Sequence, residues 1–197
     1  MFSKLVIKNT GVDQFVPIFA SIVLVDTIIM IMNANNIIFK SNKLQEWYSD
    51  YGISAMLMDC LITFLYLIGG RLLLQHSKMK LNVINMILCT VLVQLVGDLI
   101  FYGLFMTIPR GSSKIMDFFK DYAKEIHYHA LWSDSVIMIL SILFSQIFIV
   151  GLNSRNQLIL LITMIYISQY ALHTLPPSFI INKNLISNNK LIKLLNN

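Results

Sequence analysis

Asp26, Asp59, Asp98 and Asp134 each lie inside a different apolar stretch of the chain. A carboxyl group so placed supports three chemistries. It can carry a proton along a relay, it can help bind a cation, or, paired with a second carboxyl, it can share a proton and activate water. It can also act as a bolt between helices, taking hydrogen bonds from neighbours worth about 0.6 kcal/mol each. A carboxylate near the middle of a membrane-spanning helix costs about 2.5–3.5 kcal/mol, so four of them forfeit roughly 10–14 kcal/mol unless partners or water offset it.

Other polar residues share helical faces with the acids. At 3.6 residues per turn, Gly52, Ala55, Asp59, Thr63, Tyr66 and Gly70 fall on one face of their segment, and Thr90, Gln94, Gly97, Asp98 and Tyr102 on one face of the next. Asp134, Met138, Ser141 and Ser145 form a third stripe, and Thr163, Tyr166, Tyr170 and His173 a fourth. These stripes make Asp26, Asp59, Asp98, Asp134, Gln94, Tyr102 and His173 the candidate functional cluster.

Competing chemistries are poorly supplied. Gly97-Asp98 with Asp59 distantly resembles the carboxyl pair of intramembrane aspartyl proteases, but the glycine pattern is broken at Val96 and no Pro-Ala-Leu follows. His127, His129 and Asp134 lack a further ligand at helical spacing, so no metal centre is expected. There is no nucleotide loop and no Ser-His nucleophile pattern, and the sequence calls for no cofactor. Catalytic residues are not assigned.

The elements that must carry these residues are transmembrane helices. The 197 residues are 56% hydrophobic and 13% charged, with mean hydropathy +0.70, well beyond the usual composition of a soluble domain. Scanning for segments of about 20 apolar residues yields five spans, near 15–36, 52–71, 85–108, 130–152 and 157–175. Pro17 opens the first, Arg71 closes the second, Pro109 the third and Pro176-Pro177 the fifth. The expected fold is therefore an all-α, polytopic transmembrane bundle forming a single domain over 1–197. The apolar run after Lys4 and Lys8 is long enough to span and lacks a cleavage motif, so it is taken as a retained span.

Between spans three and four, Ile115, Phe118, Phe119, Tyr122 and Ile126 recur at helical spacing opposite Lys114, Asp117, Lys120, Asp121, Lys124 and Glu125. This pattern predicts a short interfacial helix near 113–126, its apolar face turned either to the acyl chains or onto the end of the bundle. Trp47, Tyr48 and Tyr51, with Tyr128 and Trp132, suggest an aromatic belt on the same side. Measured from that side at 1.5 Å per residue, Asp134 lies roughly 6 Å deep, Asp59 about 10 Å, and Asp98 and Asp26 about 15 Å. The acids thus form a ladder from one surface towards the midplane.

The net charge of +5 is scattered over loops and tails, including the polar tail 182–197, which fits anionic lipid head groups and gives no stripe for nucleic acid. Lysine and arginine are divided too evenly to fix an orientation. Cys60 and Cys89 sit in apolar segments as small buried hydrophobes. The residues flanking the acids differ, so no internal repeat is read from the sequence. A bundle this small can complete its polar core by self-association, making a homo-oligomer or another membrane protein the expected partner besides the bilayer.

The stretches WYSDYGISAMLMDCLITFLYLIGGRLL and VQLVGDLIFYGLFMTIPRGSSKIMDFFKDYAKEIHYHALWSDSVIMILSI resemble an uncharacterised family of multi-spanning membrane proteins encoded by giant (nucleocytoplasmic large) DNA viruses. The shared features are Tyr51-Gly52 ahead of Asp59; Gln94 and Asp98 before Phe101-Tyr102; Phe119, Lys120, Tyr122, Ala123 and Glu125; and Asp134-Ser135. About half the chain is covered. Family members often carry His before the span-three Asp, where this chain has Gly97. The resemblance implies a viral source and a virion internal membrane or host membrane as location, and no established activity. It leaves three expectations in order: a structural or membrane component, an ion- or proton-coupled channel or transporter, and an intramembrane enzyme acting on lipid or peptide.

Overall fold

A computed structural model describes residues 12–35, 37, 41–127 and 129–173. The tail 182–197 and Pro176-Pro177 lie outside the described residues. The described residues form seven helices: α1 (Val12–Ala34), α2 (Asn42–Tyr51), α3 (Ile53–His76), α4 (Val83–Thr107), α5 (Lys114–Ile126), α6 (His129–Gly151) and α7 (Ser154–Leu172). No strand occurs among the described residues. Four helices, α1, α3, α4 and α6, are long and apolar enough to cross a membrane.

α1 is the central rod. It packs against α7, α6 and α3, while α4 closes the bundle against α3 and α6. Pro17 sits in its second turn and leaves the helix unbroken, and Ile18, Ala20, Ser21, Ile22, Val23 and Val25 are buried along it. Small residues let its neighbours approach: the Ser21 hydroxyl donates across to the Ser141 carbonyl at 3.0 Å, beside the buried Ser145 of α6. α3 and α4 touch more closely still. A Cβ on Gly70 would stand 2.5 Å from the Thr90 Cα, so only glycine fits.

Three features depart from the sequence reading. First, α3 does not stop at Arg71 but continues to His76 with Arg71 buried, because Arg and the following Leu-Leu-Leu-Gln are good helix formers and none is a breaker. Second, Asn42–Tyr51 forms a separate helix, α2, capped by the Ser41 side chain on the Leu44 amide. Third, the stripe Thr163, Tyr166, Tyr170 and His173 faces outward, since α7 turns Leu161, Met164, Ser168, Ala171 and Leu172 onto the core instead.

The architecture repeats where the residues do not. A long helix, a short amphipathic helix, a joint residue with positive φ and a second long helix occur as α1–α2–Gly52–α3 and again as α4–α5–His127–α6. The backbone of Gly52 (φ 51, ψ −127) and that of His127 (φ 55, ψ −134) are nearly the same. Asp59 follows Gly52 by seven positions and Asp134 follows His127 by seven; Trp47 and Tyr122 each precede their joint by five. Packing obeys the same exchange: α1 on α6 mirrors α4 on α3, and α2 meets α5. Both halves run in the same direction, so the relation is a pseudo-two-fold about an axis along the bundle.

A convergent carboxyl cluster under a two-helix cap

Each acid is brought in by a different long helix, and α2 and α5 close over them at one end. Asp59, on the second turn of α3, accepts from the Trp47 indole N–H at 3.0 Å and from the Tyr48 hydroxyl at 3.2 Å, both on α2. Asp26, buried on α1 at 4% exposure, lies beside Asp59 and accepts from the Cys60 thiol at 3.8 Å. The first half therefore holds two carboxyls within electrostatic reach of each other.

In the second half, Asp98 on α4 accepts from the Tyr66 hydroxyl at 2.9 Å and from the Gln94 side-chain amide. Gln94 is wholly buried and takes the Ser135 hydroxyl on its own carbonyl at 2.8 Å, which extends the chain of bonds to α6. Asp134, one position before Ser135, interacts electrostatically with both Asp98 and Asp59. Cys60 and Ser135 are thus equivalent: each follows the α3 or α6 acid by one residue and points its hydrogen towards the acid system of α1 or α4. The four carboxyls form one cluster, Asp26 to Asp59 to Asp134 to Asp98.

The cap completes it. The Tyr122 phenol, on α5, lies within electrostatic reach of Asp134, Asp59 and Asp98. Burial first, and then the carboxyls around them, raise the titration of both Tyr48 and Tyr122 above the ordinary phenol range, so both stay protonated donors at neutral pH. Across the cap the Trp47 ring stacks on Phe118 at 5.1 Å and tilts against Phe119 at 5.2 Å. α5 therefore turns its apolar face onto the bundle end. Trp47 and Tyr48 are buried donors to a carboxyl and take no place in an aromatic belt, whereas Trp132 is 70% exposed.

Gly97 has a direct part in this geometry. A Cβ there would meet the Tyr66 ring at 2.4 Å, so the glycine opens the slot through which the Tyr66 hydroxyl reaches Asp98. A histidine at that position would fill it.

Of the sequence candidates, Asp26, Asp59, Asp98, Asp134 and Gln94 meet in the cluster. Tyr102 is 49% exposed with its ring edge-on to Phe105, and His173 stands exposed just beyond α7. Sequence reasoning missed Trp47, Tyr48, Tyr122, Cys60 and Ser135 as members. Their only available signal was the equal spacing from Gly52 and His127, which the dissimilar residues around the acids obscured. Among the described residues no group of His, Cys, Asp and Glu has the arrangement of a metal site. Comparison with protein-family models, with curated proteins and with solved structures finds no match to the chain.

Proposed function

We propose that the protein is an integral membrane bundle of five spans, α1, α3, α4, α6 and α7, with α2 and α5 at one membrane surface, and that its carboxyl cluster binds and releases protons within an ion- or proton-coupled channel or transporter. Support for membrane embedding comes from the outer faces. Leu61, Leu65, Leu88, Leu92, Leu99 and Ile100 of α3 and α4 are all more than half exposed, and Ile159 and Ile162 of α7 likewise, an apolar girdle too extensive for a water-soluble monomer. α7, at 19 residues, is shorter than the others, and its Ser-Arg-Asn-Gln start fits a membrane boundary. The resemblance of the sequence to giant-virus membrane proteins favours a virion or host membrane as the setting.

One observation carries the transport reading: carboxyls from four helices and from both halves meet at one end of the bundle, held by neutral donors. Four like charges in one low-dielectric volume repel strongly, so the cluster's charge must follow its proton occupancy as one unit. Purified protein in liposomes should therefore give a pH-gradient-driven proton flux that Asp59→Asn or Asp98→Asn abolishes while the yield of folded protein is kept. A second reading, a structural membrane component, is favoured by the way these bonds tie α2 to α3, α3 to α4 and α3 to α1. Absence of flux, with both substitutions only lowering thermal stability, would select it.

A further inference from the structure

We propose that α2 is a lid over the first carboxyl pair, hinged at Gly52 and seated on α5, and that its swing opens Asp26, Asp59 and Cys60 to the aqueous side. The proposal concerns access to the cluster and rests on the reading that the cluster exchanges protons with that side.

The lid's underside holds the carboxyl. Asp59 accepts hydrogen bonds from α2 through Trp47 and Tyr48, so lifting α2 bares the Asp59 carboxyl and the Asp26–Cys60 contact next to it. Its pivot is a single residue. Gly52 ends α2 with its amide on the Tyr48 carbonyl at 3.0 Å and begins α3, and a Cβ placed on it would meet nothing within 4 Å. A glycine at φ 51 reaches neighbouring conformations at little cost, and no packing restrains this one.

Its seat is made mostly of side chains, with one backbone bond from the Lys43 amide to the Glu125 carboxylate at 3.4 Å. Besides the Trp47–Phe118 stack, the Tyr51 ring meets Phe118 edge-on at 5.8 Å, the Lys43 ammonium stands 5.8 Å over Phe118, and the Lys114 ammonium 5.3 Å over Tyr51. The Ser41 hydroxyl donates to Glu125 at 3.0 Å, which latches the start of α2 to the end of α5. Contacts of this kind separate and re-form without unwinding either helix.

The equivalent helix in the second half is built to stay. α5 is pinned by the Arg110–Asp121 ion pair at 2.8 Å, by the Gly111 amide on Asp117 at 2.7 Å and by the Lys120 ammonium on the Ile108 carbonyl. Its joint, His127, carries a Cβ at φ 55, where only a narrow conformational well is open to it. Of the two cap helices, α2 is the one with a glycine joint.

Cys60 reports the motion, because it is buried next to Asp59, the carboxyl that α2 holds, and donates to Asp26. In full-length protein in lipid nanodiscs, with Cys89→Ser leaving Cys60 as the sole native thiol, labelling by a membrane-impermeant maleimide is followed by mass spectrometry of the Cys60 peptide. A short bis-maleimide bridge between Ser41→Cys and Glu125→Cys, installed first, should slow Cys60 labelling about tenfold. Ser41→Ala, which removes both the cap and the latch, should speed it about fivefold. Equal rates with and without the bridge, or no labelling of Cys60 in the unbridged protein, would overturn the lid. Labelling needs no transport, so bridge-sensitive labelling in a protein that conducts no protons refutes the transport reading and keeps the lid, whereas proton flux with bridge-insensitive labelling does the reverse.

Discussion

The two halves of the bundle share one plan and use it differently. In α1–α3 Asp59 is served from above, by the indole and phenol of a short helix on a glycine joint, and Asp26 by the Cys60 thiol of α3. In α4–α6 the acid Asp98 is served from the side, by Tyr66 of the opposite half and by the Gln94–Ser135 relay, under a helix tied to the preceding loop by one ion pair and two hydrogen bonds. The contrast teaches that equivalent backbone positions do not enforce equivalent roles. One half has an acid, Asp59, whose two α2 donors can be withdrawn together; the other has an acid, Asp98, built into the packing between halves.

The strongest way to break the comparison lies at the contact between halves. Gly70 and Ser145 are equivalent, each eighteen positions beyond its joint, and Gly70 is pressed against the Thr90 backbone whereas Ser145 already carries a Cβ. Gly70→Ala should cost roughly 1–3 kcal/mol by overpacking. Ser145→Ala, which removes a hydroxyl bonded only within its own helix to the Ile142 carbonyl, should change stability by less than about 0.5 kcal/mol. Thermal unfolding in one detergent compares them, and equal losses would refute the asymmetry.

The donors to the acids come next. Tyr66→Phe leaves Asp98 with Gln94 alone and should cost about 1–2 kcal/mol, because a half-buried acceptor loses a partner. Trp47→Phe keeps the ring stack and leaves Tyr48 on Asp59, so its cost should be nearer 0.5–1.5 kcal/mol. Gly97→Ala should reproduce the Tyr66→Phe phenotype by displacing that ring, and a silent Gly97→Ala would show that the slot has no role.

The smallest effect sharpens the difference between the two cap helices. Arg110 donates to Asp121 and holds its titration below the ordinary aspartate range. A value depressed by folding contributes stability that is complete above the ordinary range and is lost as pH falls through it, below about pH 4. Since both side chains are about half exposed, solvent screening limits the gain to a few tenths of a kcal/mol. Asp121→Asn should therefore remove a small acid-sensitive component from proteolysis of α5 and leave α2 unchanged.

The long helices were legible because apolar runs of this length leave little alternative, and α5 because its two faces separate cleanly. α2 was not, since NKLQEWYSDY is short and polar, and its aromatic residues read equally well as a membrane belt. The inward turn of the acids followed from the cost of exposing carboxyls to lipid, and Gln94 came with them by spacing. Tyr102 and His173 were misplaced because a face drawn on one helix does not say which neighbour that helix meets: α7 gives its tyrosine stripe to the outside and its Ser168 to the Met56 sulfur of α3. The recurrence of the two halves is a property of backbone joints, carried by glycine in one and histidine in the other, and identical residues were never needed to make it.

The central claim is that both halves place their carboxyls in one electrostatic unit. Infrared titration of the carboxyl stretching bands in the reconstituted protein tests it directly, comparing wild type with Asp59→Asn and Asp134→Asn. Each substitution should move the titration midpoints of the carboxyls that remain, including those in the other half. Midpoints in one half that ignore removal of an acid from the other would contradict it.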